Sequence, residues 1–290
     1  MRTSDLAAEP VMSNTDYECE ITAWRATRLQ KLTTKDGWTQ LVGLLWLEPG
    51  DNSFGRAASN RLALENPRIP EHLGTFSVAG REVRFVAAPG AQVMHAGRPV
   101  RAIGPLQDDA AGAPTVLSCG SVSFYLIERS GRLGIRVKDS QAEAHVHFRG
   151  LEYFRIDPKW RLAARVEAYS PVKKVSIINV LGMEEEMQSP GALLFEVDGK
   201  PYRLDAVLEV GERDWFVMFA DQTNGKQTYG AGRFLYVAPP VNGETVIDFN
   251  KSYSPPCSFS AFATCPLPPP QNRLAVAVTV GELKYTGSDH

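Results

Sequence analysis

The sequence predicts a mainly β protein with an N-terminal helix, built from two β-rich halves of the sandwich or barrel type. Three observations lead to this class. An early segment has helical spacing, and most later segments instead alternate apolar with other residues, as half-buried strands do. Gly and Pro, 24 and 20 of the 290 residues, separate these segments. Short strands joined by frequent turns are typical of sandwiches and barrels.

The predicted helix covers residues 15–32. Thr15 and Glu18 have the spacing of a capping box, in which each side chain accepts a hydrogen bond from the other residue's backbone N–H. Apolar and long side chains then recur at helical intervals as far as Leu32. Asp36-Gly37 predicts the turn that ends the run.

Alternating segments predict the strands of the first half. Apolar residues occupy every second position in residues 83–85, 122–126 and 133–137. Ser130-Gly131 lies between the last two of these segments, so we expect a hairpin turn there.

The same alternation continues in the second half. It appears in residues 160–166 and 215–219, and it is cleanest in residues 274–280. Asp198-Gly199 has alternating residues on both sides and strongly predicts a hairpin. The acidic run at residues 184–186 instead favours a solvated loop or a short helix.

A boundary between the halves is predicted near residue 145, because a polar stretch there follows the last strand of the first half. We therefore divide the chain into a mobile N-terminus (1–14), a β-rich half with its leading helix (15–145) and a second β-rich half (146–287). The polar residues at the start of the chain do not resemble a signal peptide.

Composition excludes several classes of function. The net charge is −2 with 22% charged residues, so there is no basic stripe for nucleic acid. Apolar runs are far shorter than the roughly 20 residues that a membrane helix needs. We expect a cytoplasmic protein, in which the four cysteines are thiols or ligands.

Two segments could carry chemistry. Residues 221–234 contain closely spaced glycines, which let a backbone approach a ligand or adopt positive φ, but they lack a phosphate-loop signature. Residues 248–272 are rich in proline and aromatic side chains. We interpret the second segment as an ordered, non-helical strap over the sheet.

Arg233 begins a predicted strand directly after Gly230-Ala231-Gly232. Its guanidinium suits the carboxylate or phosphate of a ligand. The alternative is an ion pair with Asp248 that holds two strands together.

Asp248 lies in an apolar strand, with Asn250 on the same face. A carboxylate in such a place is either paired or has a shifted pKa, and shifted carboxylates mark acid/base sites. The catalytic candidates are Asp248, Arg233, Tyr229 and Asn250. The candidate substrate-binding residues are Tyr253, Cys257, Glu282, Asp221 and Arg136.

The cysteines and histidines leave alternatives open. Cys257 and Cys265 lie too far apart in sequence for a zinc-knuckle half, and they are expected to be buried thiols, a disulfide, or metal ligands with Asp248. His145 and His147 would share one face of a strand, and an exposed edge strand explains them better than a metal site does.

Several of these motifs resemble one family. The sequence is similar to the DUF1684 family of bacterial and fungal proteins of unknown function over roughly residues 17–285. The resemblance rests on the following residues: Trp24-Arg25, Asp36-Gly37-Trp38, Gly43-Leu44-Leu45-Trp46-Leu47, Ile135-Arg136-Val137-Lys138-Asp139, Phe148-Arg149-Gly150-Leu151-Glu152-Tyr153-Phe154, Tyr229-Gly230-Ala231-Gly232-Arg233-Phe234-Leu235, Asp248-Phe249-Asn250, Pro255-Pro256-Cys257, Thr264-Cys265-Pro266-Leu267-Pro268-Pro269 and Gly281-Glu282. Shorter members correspond only to the part from about Phe148 onward, which implies that residues 146–287 are the core module of the family.

The family implies no established reaction, so the function must be inferred from side chains. The leading hypothesis is a cytoplasmic enzyme that performs hydrolase-type acid/base chemistry on a small polar or anionic molecule without an organic cofactor. A non-catalytic small-molecule or carbohydrate binding module is the alternative. A divalent metal held by Asp248, Cys257 and Cys265 and a homodimer both stay open, whereas nucleic acid and membrane are not expected as partners.

Overall fold

The computed structural model describes residues 13–34 and 37–287. The predicted mobile N-terminus, except residues 13 and 14, lies outside these ranges, as do Asp36 of the predicted turn and His290. No helix among the described residues is long and apolar enough to cross a membrane.

The predicted helix is present as α1 (Asn14–Thr33). Its N-cap is Ser13, so the predicted cap at Thr15 was wrong by two residues. The Ser13 hydroxyl accepts a hydrogen bond from the Asp16 backbone N–H at 3.2 Å and donates to the Asp16 carboxylate at 2.7 Å. These residues have the same hydroxyl–carboxylate spacing as the predicted pair, which explains the shift.

The first half consists of two antiparallel sheets, apart from one parallel pair. Its strands are β1 (Leu41–Trp46), β2 (Gly50–Gly55), β3 (Leu62–Ala63), β4 (Gly74–Ala79), β5 (Glu82–Ala87), β6 (Met94–His95), β7 (Arg98–Pro99), β8 (Ala102–Ile103), β9 (Leu117–Cys119), β10 (Val122–Arg129) and β11 (Arg132–Asp139). One sheet has the order β1-β11-β10-β9-β6-β7, and the other has the order β3-β2-β4-β5-β8. A short helix, α2 (Glu143–Val146), follows.

Four phenylalanines form the centre of the first core. Phe54, Phe76, Phe85 and Phe124 are fully buried, and their ring centroids lie 4.8–6.0 Å apart. Phe124 belongs to the first sheet and the other three belong to the second, so the ring cluster joins the two sheets. The first half is therefore a sandwich, with a core drawn from alternate strand positions.

The second half has a four-stranded and a two-stranded antiparallel sheet. Its strands are β12 (Arg161–Ile178), β13 (Glu184–Val197), β14 (Lys200–Ala206), β15 (Trp215–Phe219), β16 (Arg233–Val237) and β17 (Glu244–Asp248), and the larger sheet has the order β14-β13-β12-β17. The fold class predicted from the sequence is thus confirmed: the chain is mainly β, with an N-terminal helix.

Both predicted hairpin turns occur. Ser130-Gly131 joins β10 to β11 with φ values of 48° and 77°, and Asp198-Gly199 joins β13 to β14 with φ values of 50° and 73°. Two positive φ angles are what the tight hairpin turn requires.

Residues 184–186 do not form the predicted loop or helix. They belong to β13 and pair with residues 176–178 of β12. The three glutamates are exposed, although Ile177 on the facing strand is buried, so a strand can carry consecutive charged residues without burying them.

Residues 274–280 form no strand, although the predicted alternation of burial is largely present. Two buried side chains bind this segment in place of a strand ladder. Arg233 donates to the carbonyls of Val278 (2.8 Å) and Val280, and the Asp221 carboxylate accepts from the Val278 N–H at 3.2 Å. Arg233 and Asp221 also pair with each other at 2.8 Å. Side chains therefore satisfy backbone groups that burial would otherwise leave unbonded.

The segment ends at Gly281, which has φ +80°. A Cβ at this position would lie 2.1 Å from the Ser252 hydroxyl oxygen and 2.7 Å from the Ser252 carbonyl oxygen. Only glycine allows the chain to pass this close to the 248–272 strap in this backbone conformation.

A third apolar cluster joins the two halves. Leu41 of β1 packs there with residues of the second half, including Ile177, Phe216, Phe234 and Cys265. The first and second cores contain residues from their own halves, whereas this cluster contains residues from both.

We predict that Arg233→Met lowers the free energy of unfolding by about 3–5 kcal/mol, because it leaves the Asp221 carboxylate buried and unpaired. Lys174→Met is the matched control, since it breaks an exposed pair with Glu186 and should change stability by about 1 kcal/mol or less. Urea unfolding of the variants measures both. Equal losses in the two variants would contradict the structural role of Arg233.

Gly281→Ala and Gly90→Ala separate backbone strain from crowding. Both glycines have φ near +80°, but a Cβ at Gly90 meets no atom within 4 Å. Gly90→Ala should destabilise the protein by about 1–2 kcal/mol through its φ angle, and Gly281→Ala by a further 1–3 kcal/mol, roughly, through overpacking. Urea midpoints that agree for the two variants would show that the strap yields to the added methyl group.

Candidate functional site

A cleft of about 1150 Å³ opens where α1, the first half and the second half meet. Helix α1 contributes side chains from its C-terminal half, and the first half of the chain contributes Trp38, Arg129 of β10 and Arg136 of β11. The second half contributes the outer end of the β12–β13 hairpin, the β15–β16 pair and the proline-rich strap. Clefts between structural units are common positions for small-molecule sites.

Aromatic rings form much of the cleft wall. Tyr236 and Tyr253 are stacked, with centroids 6.3 Å apart and planes 15° apart. Trp24 lies 6.4 Å from Tyr253, and Phe216 lies 5.2 Å from Tyr236. Trp38 lies in the same cleft, on the side of the first half. Such rings can contact the apolar part of a ligand while their polar groups stay hydrated.

The cleft lining carries both signs of charge, from different parts of the chain. The cations belong to α1 and the first half: Arg28, Lys31, Arg129 and Arg136. The carboxylates belong to the second half: Glu185, Glu186, Glu209 and Glu212. Charges from the two halves meet in the cleft, since Glu185 acts electrostatically on Arg129.

Glu209 and Tyr236 form a polar pair in this cleft. The Tyr236 hydroxyl donates a hydrogen bond to the Glu209 carboxylate. Burial raises the pKa of Glu209 above its ordinary value, although the hydrogen bond from Tyr236 opposes the shift. Burial also raises the pKa of Tyr236. Neither residue is predicted from the sequence as a site residue, and Glu209 in particular lies in Leu208-Glu209-Val210-Gly211, which has the composition of an ordinary turn.

Arg136 lies at the floor of the cleft and is 3% exposed. Its guanidinium lies over the Trp38 ring, 5.1 Å from the centroid. Its polar contacts are long, at 3.4 Å to the Thr264 hydroxyl and 3.7 Å to the Asp109 carboxylate. Its Nε has no hydrogen-bond partner within the described part of the chain.

Asp248 and Asn250 lie together, as the sequence predicted, but they do not line the cleft. The Asp248 Oδ1 atom accepts hydrogen bonds from the Tyr17 hydroxyl (2.8 Å) and the Asn250 backbone N–H (3.0 Å). The Asn250 side-chain amide in turn donates to the Tyr17 oxygen at 2.9 Å. Burial and the neighbouring carboxylate raise the pKa of Tyr17. This buried group attaches α1 to the end of β17.

The alternative prediction, an ion pair between Arg233 and Asp248, was wrong. Arg233 instead pairs with Asp221, and its side chain is completely buried. Desolvation lowers the pKa of Arg233, and Asp221 opposes that shift. Since both charges are already bonded to each other and to residues 278–280, neither is presented to a ligand in the cleft.

A second group consists of the half-buried Tyr229 and the buried Cys257 and Cys265. The Tyr229 hydroxyl donates to the Cys257 carbonyl at 3.0 Å, and the Cys257 N–H donates to the Cys265 sulfur at 3.1 Å. All four cysteines are free thiols, so the alternative of a disulfide does not hold in this structure. A hydrogen bond from the Cys265 thiol lowers the pKa of Cys257, and burial raises the pKa of Cys265.

The alternative metal set is not assembled. Within residues 13–34 and 37–287, no group of three or more His, Cys, Asp or Glu side chains converges as a metal site. Asp248 is bonded to Tyr17 and Asn250, whereas Cys257 and Cys265 pack in the apolar cluster between the halves.

His145 and His147 do not share a strand face, because the chain turns there through α2. The Nδ1 of His145 lies 2.8 Å from the Thr39 hydroxyl, and the exposed His147 faces Glu143 at 3.9 Å. The two-residue spacing therefore has no metal-binding geometry in this structure.

Glu282 acts on the cleft indirectly. It is completely buried, and it holds Arg28 at 3.2 Å while accepting from the Ser254 N–H. Arg28 also donates to the Ser254 carbonyl at 2.9 Å and lies over the Tyr253 ring, 4.7 Å from its centroid. Burial raises the pKa of Glu282, and Arg28 opposes that shift. Glu282 thus positions a cation and an aromatic ring that line the cleft.

Of the nine candidate residues, the structure places Arg136 and Tyr253 at the cleft. Cys265, named as a metal alternative, also lines it. The other candidates hold α1, the strap and residues 274–280 in place. A motif that is dense in Gly, Pro and charged residues can therefore mark a close-packed junction rather than the site itself.

Comparison with curated proteins finds no match. Among solved structures, the solution NMR structure of an uncharacterized protein of Haloarcula marismortui is 34% identical, with a TM-score of 0.41, over 49% of this chain and 80% of that chain. A family model matches residues 146–283, which include β12–β17 and the strap. The chain belongs to the family described as "Protein of unknown function (DUF1684)".

Proposed function

We propose that the protein is an enzyme that performs hydrolase-type acid/base chemistry on a small polar or anionic molecule bound in the cleft. The observation that carries this proposal is the Glu209–Tyr236 pair, a carboxyl group of raised pKa hydrogen-bonded to a phenol on the cleft wall. A carboxyl with a raised pKa exchanges protons closer to neutral pH than an ordinary one does.

In such a reaction the ionised Glu209 would accept a proton from an attacking water, whose oxygen forms the new bond to the substrate. The protonated Glu209 would then return that proton to the leaving group as the scissile bond breaks. The hydroxyl of Tyr236 holds the carboxylate in one orientation throughout. The neighbouring Phe216 and Tyr253 rings pack against Tyr236, so the pair lies in partly apolar surroundings, which supports the raised pKa.

Non-catalytic binding is the second candidate function. The aromatic lining favours it, since Trp24, Trp38, Tyr236 and Tyr253 offer ring faces to a small molecule or a carbohydrate. For either function we propose a cytoplasmic location, with which the four free thiols agree.

We predict that Glu209→Gln and Tyr236→Phe reduce turnover by about 100-fold or more, the usual contribution of a general acid or base. A panel of ester, phosphate and amide substrates identifies the activity to be measured. Glu196→Gln, which changes an exposed carboxyl on β13, should leave it unchanged. Full turnover in both cleft variants would refute the acid/base assignment, and binding of panel compounds without any turnover would support the second function.

The pH dependence of stability tests the raised pKa of Glu209 without a substrate. Its folded-state pKa lies above the ordinary value of about 4.3, so the protonated carboxyl stabilises the fold at low pH. This contribution is lost as the pH rises through the folded-state pKa. Glu209→Gln cannot ionise, so its Tm relative to wild type should increase between about pH 4 and pH 7.

Glu196→Gln again provides the comparison, because its carboxyl is exposed and outside the cleft. The Tm difference between Glu196→Gln and wild type should vary less with pH. A Tm difference for Glu209→Gln that stays constant or decreases over this range would contradict the raised pKa.

A further inference from the structure

We propose that Arg136 is the anion-binding subsite of the cleft and takes the single carboxylate or phosphate group of a ligand whose remaining part is apolar. This inference rests on the proposed function only in assigning the ligand to the same cleft, and it names the class of that ligand. Four features of the structure support it.

Arg129 and Arg136 share one carboxylate at ion-pair distance, that of Asp109. Arg129 binds both oxygens of Asp109, with N–O distances of 2.8 and 2.6 Å. Arg136 reaches the same carboxylate only at 3.7 Å. One carboxylate thus serves two guanidinium groups, and its hydrogen-bonding capacity is used mainly by Arg129.

The hydrogen-bond donors of Arg136 are poorly used. Its Nε has no partner among the described residues, and its contact with the Thr264 hydroxyl, at 3.4 Å, is long. A buried charged group normally has its donors satisfied, because an unmade bond loses the hydration that the group had in water. An anionic group at Arg136 would supply the missing acceptors through the bidentate geometry that guanidinium favours.

The side chain is held ready for such a ligand. Arg136 lies in the middle of β11, paired with Leu44 of β1 and Tyr125 of β10, so its backbone is fixed on both sides. Trp38 supports the guanidinium plane. A ligand would therefore bind without the ordering of a long side chain, which ordinarily weakens binding.

The other residues that line the cleft indicate the chemistry of the remaining part of the ligand. Beside Arg136 the wall includes Trp38, Ile177, Cys265 and Pro266, which are apolar. The four carboxylates elsewhere in the cleft lining would repel a further negative charge on the ligand. The geometry therefore favours a single anionic head group on an apolar or aromatic body, of which benzoate is a minimal example.

Calorimetric titration with benzoate and with benzyl alcohol, its uncharged analogue, tests the subsite. Wild-type protein should bind benzoate more tightly than benzyl alcohol. Arg136→Met should weaken benzoate binding by about 10- to 100-fold, the range of a charge-assisted hydrogen-bonded pair, and leave benzyl alcohol binding unchanged. Arg136→Lys keeps the charge without the planar fork and should give an intermediate loss.

Two further variants separate binding from folding. Asp109→Asn removes the carboxylate that competes for Arg136, so benzoate should bind more tightly, and a folding defect would not produce that gain. Arg81→Met is the matched arginine control, because Arg81 is exposed and pairs with Glu128 away from the cleft. It should bind benzoate as wild type does.

Phenyl phosphate in the same titrations distinguishes the two sources of the anion. Tighter binding of benzoate assigns a carboxylate, and tighter binding of phenyl phosphate assigns a phosphate ester. The proposal is overturned if wild type binds neither anion better than benzyl alcohol. It is also overturned if Arg136→Met weakens the anions and the alcohol equally.

The test of benzoate binding does not depend on catalysis by Glu209. Glu209→Gln should keep its affinity for benzoate even where it loses turnover. If Glu209→Gln keeps full turnover while Arg136→Met loses affinity for benzoate, the acid/base assignment fails and the anion subsite is supported. The reverse pattern would leave the acid/base assignment in place and refute the subsite.

Discussion

The structure of the second half depends on the buried ion pair between Arg233 and Asp221. Ions in an apolar interior are strongly disfavoured unless charge and hydrogen bonds compensate them, and here the compensation comes from each other and from the backbone of residues 278–280. The pair thereby fixes a segment that has no strand ladder. That segment leads to Gly281 and Glu282, and Glu282 holds Arg28 of α1. One buried pair is thus connected, through successive contacts, to the position of a cation in the cleft.

Helix α1 belongs by sequence to the first half, yet its polar contacts attach it to the second. Tyr17 bonds to Asp248, Arg28 bonds to Glu282, and Arg25 donates to the Phe154 carbonyl. These bonds depend on direction and distance, unlike a continuous apolar stripe, so they specify one placement of the helix. Because α1 forms one wall of the cleft, its placement determines whether the cleft is closed on that side.

Periodicity was sufficient to predict the class of the fold, the helix and both hairpins, since each depends on local preferences of the chain. It failed at residues 274–280, where burial alternates but the partners are side chains from distant positions. The acidic run at residues 184–186 also misled, because a strand can carry charged residues where its side chains are exposed. In the site, Arg136 and Tyr253 could be selected from charged and aromatic motifs. Glu209 and Tyr236 could not, since only the folding of β16 beside the 208–212 turn brings them together.

The composition of the cleft wall has a consequence for the family. The family match covers residues 146–283, and therefore Glu209, Tyr236 and Tyr253 lie inside it, whereas Arg28, Arg129 and Arg136 lie outside it. A chain that contained the matched region alone would carry the Glu209–Tyr236 pair but would lack the part of the cleft wall that α1 and the first half supply here.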